Sequence, residues 1–321
     1  MPDEKSIVFM GTPDFAVPAL SALVEKGFRV TAVVTNPDKP RGRSGKPAPS
    51  PVKEAALSFD LPVLQPEKVR DPEFIEKLRS LAPDLIVVAA FGQIIPRVIL
   101  ELPEYGCLNI HGSLLPKYRG AAPIQHAVID GEKYSGVTLM KMGTGLDTGD
   151  MIAKARIPLD SDETGGSLFE KLSHLGAKLL VDTLPAVFDG TAVYEKQPEE
   201  SPTPYASMIT KEMGLLSFEK GAAELERLVR GLSPWPGAYT FLNGKTLKIW
   251  KSRAEEALHE AAVKEETSPG SVVLADDSGI YVTCKEGFLV LTEVQLEGKK
   301  RLDTAAFLRG CKIKDKTVLG F

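Results

Sequence analysis

An α/β fold with a mostly parallel, doubly wound sheet, followed by a small antiparallel β-barrel, is what this 321-residue sequence predicts. Three observations predict it. Short apolar runs rich in β-branched residues alternate with helical spacings through the first 190 residues. A polar, proline-bearing stretch then breaks the rhythm. Five short strand-like runs with tight turns follow it.

The elements follow in order. Ile7-Val8-Phe9-Met10 reads as a first strand, residues 15–26 as a helix, and Val30-Thr31-Ala32-Val33-Val34 as a second strand. Asp71 before Pro72 marks a helix start, with proline at the first helical position, and the spacing predicts a helix over 72–81. Leu85-Ile86-Val87-Val88-Ala89-Ala90 and Cys107-Leu108-Asn109-Ile110 read as buried strands, and residues 166–189 as a long amphipathic helix. The Gln-Pro-Glu-Glu-Ser-Pro-Thr-Pro sequence at 197–204 reads as a linker. A helix over 222–231 precedes strands at 238–242, 246–252, 271–274, 279–284 and 287–294. The expected organisation is a Rossmann-like domain over 1–190, a linker over 191–208 and an OB-fold-like barrel over 209–321.

At 43% hydrophobic content the chain can fill a core in each domain, and no apolar run reaches the length of a membrane helix. The N-terminus carries no secretory h-region, so a cytoplasmic protein is expected, and a monomer. Cys107, Cys284 and Cys311 are odd in number and widely spaced, with no CxxC motif, which disfavours disulfides and structural zinc; no metal is expected. Cys107 is expected to pack as a small core residue. The net charge of −4 argues against a simple nucleic-acid coat, yet residues 209–321 hold 17 Lys and Arg against 16 Asp and Glu. Basic residues cluster at Lys39, Arg41, Arg43 and Lys46, and again at 245–253, 299–301 and 312–316. Together they keep a polyanionic partner in view. The first cluster lies in a Pro- and Gly-rich connection over 36–51, long for a compact domain and therefore read as functional.

The most informative residues are Asn109 and His111. Two apart on one strand, they point to the same side, at the C-terminal edge where open α/β sheets bind ligands. Asp147, in Gly145-Leu-Asp-Thr-Gly-Asp150, lies in a loop with small neighbours. Asn109 can donate to an oxyanion, His111 can move a proton between nitrogens, and Asp147 can fix the imidazole. No nucleophile is needed, since Ser113 lacks a G-x-S-x-G setting. Gly11-Thr-Pro-Asp-Phe15 is not GxGxxG, which disfavours a dinucleotide, and no GxxxxGK[ST] occurs. The residues alone leave other readings open. Asn109 and His111 could simply cap the strand end, or His111 and Asp147 could contribute to a metal site that lacks a third ligand at a recognisable spacing.

Asn109-Ile-His-Gly-Ser-Leu-Leu-Pro-Lys-Tyr-Arg-Gly-Ala-Ala-Pro-Ile124, with Gly11-Thr-Pro-Asp-Phe15 and Leu146-Asp-Thr-Gly-Asp150, closely resembles the folate-dependent formyltransferases. Ser233-Pro-Trp-Pro-Gly237 extends the likeness toward the C-terminus, and Val52-Lys53 closes the basic loop as the family does. The resemblance implies 10-formyltetrahydrofolate as donor and the α-amino group of methionine on initiator tRNA as acceptor, hence a role in translation initiation. It assigns Asn109, His111 and Asp147 to catalysis and Ser113, Leu114, Leu115 and Pro116 to the folate site. Backbone from Phe91 through Gln93 to Ile95, and the loop over 143–147, would hold the pterin. Arg43, flanked by Arg41 and Lys46, would reach the tRNA acceptor stem.

Rival readings of these residues remain. A glycinamide-nucleotide formyltransferase would need a phosphate-binding turn after the first strand. A nucleotide-sugar formyltransferase gives no reason for the basic loop. A formate-releasing hydrolase would use the same trio with water as acceptor, and a non-catalytic RNA-binding protein leaves the Asn-x-His pair unexplained.

Overall fold

The computed structural model describes residues 4–40, 45, 47–257, 267–313 and 317–320. Arg41, Arg43 and Lys46 of the basic loop, and Lys314 and Lys316, lie outside the described residues. The chain forms two compact units, one from 1–123, 134–158 and 169–206, the other from 124–133, 159–168 and 207–321.

The first unit is built on seven strands: β1 (Ser6–Gly11), β2 (Arg29–Val34), β5 (Val63–Leu64), β6 (Leu85–Ala89), β7 (Cys107–His111), β8 (Tyr134–Lys141) and β9 (Met151–Pro158). Their order is β5-β2-β1-β6-β7-β8-β9, parallel as far as β7 and antiparallel beyond it. β1 and β6 are buried along their whole length, which is why both read as unbroken apolar runs. Strand order reverses between them, so the switch point of the sheet lies at the C-terminal ends of β1 and β6. Helices α1 (Val17–Glu25), α2 (Pro51–Ser58), α3 (Pro72–Ser80) and α4 (Arg97–Leu100) connect the strands, while α5 (Pro123–Ile129), between β7 and β8 in the chain, falls in the second unit except for Pro123. The Ser50 hydroxyl caps α2 by accepting from the Lys53 N–H at 3.1 Å. α3 starts at Pro72 as expected, although the Asp71 side chain makes no cap bond. The stems of the basic loop pair as a two-residue hairpin, β3 (Lys39–Pro40) with β4 (Pro47–Ala48).

The long helix α6 (Gly165–Phe188) lies against one face of β7. A Cβ on Gly176 would stand 2.7 Å from Ile110 Cγ2, so the glycine permits this approach. Ile110 therefore faces α6, and its neighbours Asn109 and His111 face the other way.

In the second unit, α7 (Ala222–Gly231) precedes β10 (Ala238–Leu242), β11 (Lys245–Glu255), β12 (Val272–Asp276), β13 (Gly279–Thr283) and β14 (Phe288–Leu296). These form an antiparallel sheet in the order β10-β11-β14-β13-β12, with β15 (Leu302–Asp303) also on β14 and α8 (Thr304–Gly310) after it. Leu225 and Val229 of α7 pack with Leu247, Ile249, Ile280, Val282, Leu291 and Val294 in one core. Both edge strands meet the final segment. Gly320 N–H donates to Phe241 O at 3.0 Å, Leu319 N–H donates to Gly270 O at 2.8 Å, and Val272 N–H donates to Thr317 O at 2.8 Å. Bonds at both edges leave less free strand edge, as a small barrel requires.

Candidate active site

β7 carries Asn109 and His111 on the side away from α6, beside β6 and β8. Cys107 shares that side but sits deeper, packed with Val8, Met10, Ile86, Val88 and Phe91. Burial pushes its thiol up to about 12, so it stays protonated and unreactive at neutral pH. No group of three His, Cys, Asp or Glu among the described residues could hold a metal ion.

His111 is 6% exposed, and its Nε2 lies 3.0 Å from Tyr118 O. A carbonyl only accepts, so the proton in that contact is on Nε2, and Nδ1 is the nitrogen left to exchange one. Nδ1 faces Asp147 Oδ1 at 3.7 Å, ion-pair range but too long for a hydrogen bond. Asn109 is half-buried, and no group among the described residues bonds to its carboxamide. The loop after His111 is held by its own polar groups. Ser113 Oγ donates to Lys117 O at 2.7 Å, while Thr138 Oγ1 donates to Ser113 O at 2.7 Å and accepts from Leu115 N–H at 3.0 Å.

Asp147 has φ +51°, left-handed for a residue with a side chain. Its surroundings hold it from two directions. Oδ2 accepts from Gly120 N–H at 2.9 Å, and its carbonyl accepts from Gln197 Nε2 at 2.9 Å. Gln197 Nε2 also reaches Gly149 O at 2.7 Å. A Cβ on Gly149 would fall 1.8 Å from Lys141 O, so only glycine fits where this loop folds back on β8.

The segment over 195–206, expected as part of a linker, runs along this site. Arg119, 7% exposed, donates to Gln197 Oε1 at 3.0 Å, Glu199 O at 3.0 Å and Pro198 O at 2.7 Å. Ser201 Oγ donates to Pro116 O at 2.9 Å, Tyr118 N–H to Thr203 Oγ1 at 2.7 Å, and Ala206 N–H to Arg119 O at 2.8 Å. Tyr118, Arg119, Thr138 and Gln197 are the site-building residues that sequence reasoning missed.

At the switch point, Phe91 O accepts from Thr12 Oγ1 at 3.1 Å and from Asn36 Nδ2 at 2.9 Å. Gln93 Nε2 donates to Asn36 Oδ1 at 2.8 Å, and its Oε1 accepts from Val69 N–H at 3.0 Å. Phe91 and Gln93 thus brace the turn after β6. Of the remaining expected folate residues, Ser113 and Leu115 are buried while Leu114 and Pro116 are half-buried. Ile94 and Leu146, one in each loop expected to hold the pterin, are 81% and 59% exposed. At the base of the basic loop, Asp38 accepts from Lys53 Nζ at 2.8 Å and from Gln65 Nε2 at 2.8 Å, bonds that hold its carboxyl below the usual range.

A carboxamide donor and an imidazole with one free nitrogen, at the C-terminal end of an interior strand with no activated nucleophile beside them among the described residues, are equipment for group transfer between two bound substrates. Residues 4–184 match the formyl transferase family and residues 208–312 match the formyl transferase C-terminal domain, so the chain belongs to the formyl transferase family and is a formyl-transferring enzyme. Over 98% of its length it is 53% identical to a methionyl-tRNA formyltransferase of Lachnospira eligens, covering 99% of that protein. It is 50% identical to a methionyl-tRNA formyltransferase of Geobacter sulfurreducens, covering 98% of this chain and 96% of that one. Among solved structures, the sugar 3N-formyl transferase WlaRD, crystallised in the presence of dTDP and 5-N-formyl-THF, shares the fold with a TM-score of 0.65 at 21% identity, over 92% of this chain and 99% of that one. HypX from Aquifex aeolicus in complex with tetrahydrofolic acid shares it with a TM-score of 0.61 at 18% identity, over 94% of this chain and 46% of that one.

Proposed function

We propose that the enzyme transfers the formyl group of 10-formyltetrahydrofolate to the α-amino group of methionine on initiator tRNA, for translation initiation. The observation that carries this reading is the likeness, over 98% of the chain, to a protein named for methionyl-tRNA. Asn109 supports the chemistry: its carboxamide has no bonding partner among the described residues and is available to an oxyanion. Its N–H donates to the formyl oxygen as that oxygen gains charge. His111 Nδ1 takes a proton from the attacking amine and returns it to the departing folate nitrogen. One C–N bond forms, one breaks, and the proton passes between the two nitrogens. Asp147 orients the ring and balances its charge while it holds the proton.

Phe91, Gln93, Ser113, Leu114, Leu115 and Pro116 are assigned to the donor's site, where exposed Ile94 and Leu146 offer apolar surface to a flat ring. Arg41, Arg43 and Lys46 pair with acceptor phosphates. In this reading residues 1–190 are catalytic, 191–208 connect, and 209–321 bind tRNA. The enzyme works as a cytoplasmic monomer without metal. The test is incubation with 10-formyltetrahydrofolate and, separately, methionyl initiator tRNA, a dTDP-amino sugar, glycinamide ribonucleotide or no amine. Formylmethionyl-tRNA is expected. A formylated sugar or nucleotide, or formate release alone, would overturn the reading.

A further inference from the structure

We infer that Arg119 and Gln197 are positioning residues that hold Asp147 in place for proton transfer, a role that rests on the formyl-transfer reading above. The carboxamide of Gln197 can face only one way. Arg119 Nε–H points at Oε1 from 3.0 Å, while Nε2 lies 2.9 Å from Asp147 O and 2.7 Å from Gly149 O. Turned over, the amide would set NH₂ against a guanidinium and an oxygen against two carbonyl oxygens, losing all three bonds. Arg119 thus fixes the orientation of Gln197, and Gln197 pins the main chain on both sides of Thr148.

The second hold is on the side chain. Gly120 N–H donates to Asp147 Oδ2 at 2.9 Å, and Gly120 directly follows Arg119. One short segment therefore restrains Asp147 twice, through its backbone amide and through the guanidinium–carboxamide pair. Asp147 needs both restraints. It sits at φ +51°, a left-handed conformation that aspartate adopts more readily than most residues but that the bonds around it stabilise further, and its Oδ1 stands 3.7 Å from His111 Nδ1.

Burial gives the second line of argument. Arg119 is 7% exposed as a residue, and the three acceptors of its guanidinium are neutral: an amide oxygen and two backbone carbonyls. A buried cation satisfied only by neutral oxygens costs more than an apolar side chain of similar size, so stability alone does not account for it. Its planar fork spans Gln197, Pro198 and Glu199 at once, which the single ammonium of lysine cannot do. The carboxamide it orients is the one bonded to the carbonyl of Asp147.

The test uses Gln197→Glu in the full-length enzyme, which preserves size and the acceptor for Arg119 but removes the donor to Asp147 O and Gly149 O. Displacing a catalytic group by about 1 Å costs about 10²-fold. The expected result is a kcat lower by about that factor with unchanged KM for both substrates; the two lost bonds also lower the melting temperature, so the split between kcat and KM carries the test. In an Asp147→Asn background the same substitution should cost nothing further. Without any substrate, amide exchange should quicken only in peptides covering 117–122 and 143–151. Should Gln197→Glu fail to fold, Gln197→Met takes its place with the same readouts. Wild-type kcat, an equal loss in the Asp147→Asn background, or exchange faster across the whole unit would each overturn the inference. The ratio of variant to wild type is taken with whichever amine the wild type formylates, so a wrong acceptor refutes the substrate reading alone.

Discussion

Replacing Asn109 with alanine should separate rate from stability more cleanly than any other change at the site. The carboxamide is half-buried and bonds to nothing among the described residues, so its removal forfeits no hydrogen bond and strands no partner. Stability should move by no more than about 0.5 kcal/mol, as for a substitution outside any bonded network. Loss of an oxyanion donor costs about 10²–10³ in turnover, equivalent to about 2.7–4 kcal/mol of transition-state stabilisation. His111→Ala makes the contrast. It removes the bond from Nε2 to Tyr118 O, so about 0.5–1.5 kcal/mol of stability should go with the rate. Single-turnover formyl transfer gives the chemical step, and urea unfolding gives the stability. Near-normal single-turnover rates in folded Asn109→Ala would refute the oxyanion role. A stability loss as large as that of His111→Ala would make Asn109 a strand-end brace instead.

Asp147→Asn should fold normally, because an amide oxygen can still accept from Gly120 N–H, yet lose about 10²–10⁴ in kcat; a wild-type rate would dismiss the carboxylate. Replacing Arg41, Arg43 and Lys46 together with alanine should weaken tRNA binding and flatten its salt dependence by about 0.7–0.9 in slope per lost phosphate contact, leaving folate affinity alone. Superimposable salt titrations would exclude the loop from tRNA binding. Asp84 feels opposing influences: burial raises its pKa, while Ser6 N–H at 2.6 Å, Ser6 Oγ at 2.9 Å and nearby Lys5 and Arg29 lower it, with a net fall below 3.8. A carboxyl depressed in the folded state stabilises above its unfolded value and ceases to do so as pH falls through the folded one. Asp84→Asn should therefore be less stable than wild type at neutral pH, and the gap should close below pH 3.8 in urea unfolding. A gap independent of pH would show that charge plays no part there.

What could be read from the sequence follows from how local each signal is. β1 and β6 stand out because both of their faces are covered, and Asn109 and His111 because a strand aligns alternate residues. β8 and β9 escaped notice. β8 pairs antiparallel inside the sheet and is interrupted by Gly136, and β9 carries Lys154 and Arg156 along an edge strand. Arg119 and Gln197 were beyond reach for a different reason. Their bonds span 78 and 50 residues, and they exist only because the chain returns along the loops after β7 and β8 once α6 has ended. A stretch rich in Pro, Glu and Ser has the composition of a tether whether or not its backbone is bonded to something distant. Composition reports the inability to build a core, and 195–206 builds none; it uses carbonyls and hydroxyls to fasten itself to loops made elsewhere.

The two buried thiols give the native chain a built-in clock for each unit. Cys107 lies in the core at the start of β7, and Cys284, with its thiol pushed by burial up to about 11, lies in the core of the second unit. Both side chains are buried and burial raises both thiols, so an alkylating reagent must wait for each core to open. Pulsed alkylation read by peptide mass therefore yields two opening rates from one unmodified sample. The Cys107 peptide times the strand that carries Asn109 and His111, and the Cys284 peptide times the antiparallel sheet. Half-buried Cys311 reacts early and serves as the internal standard.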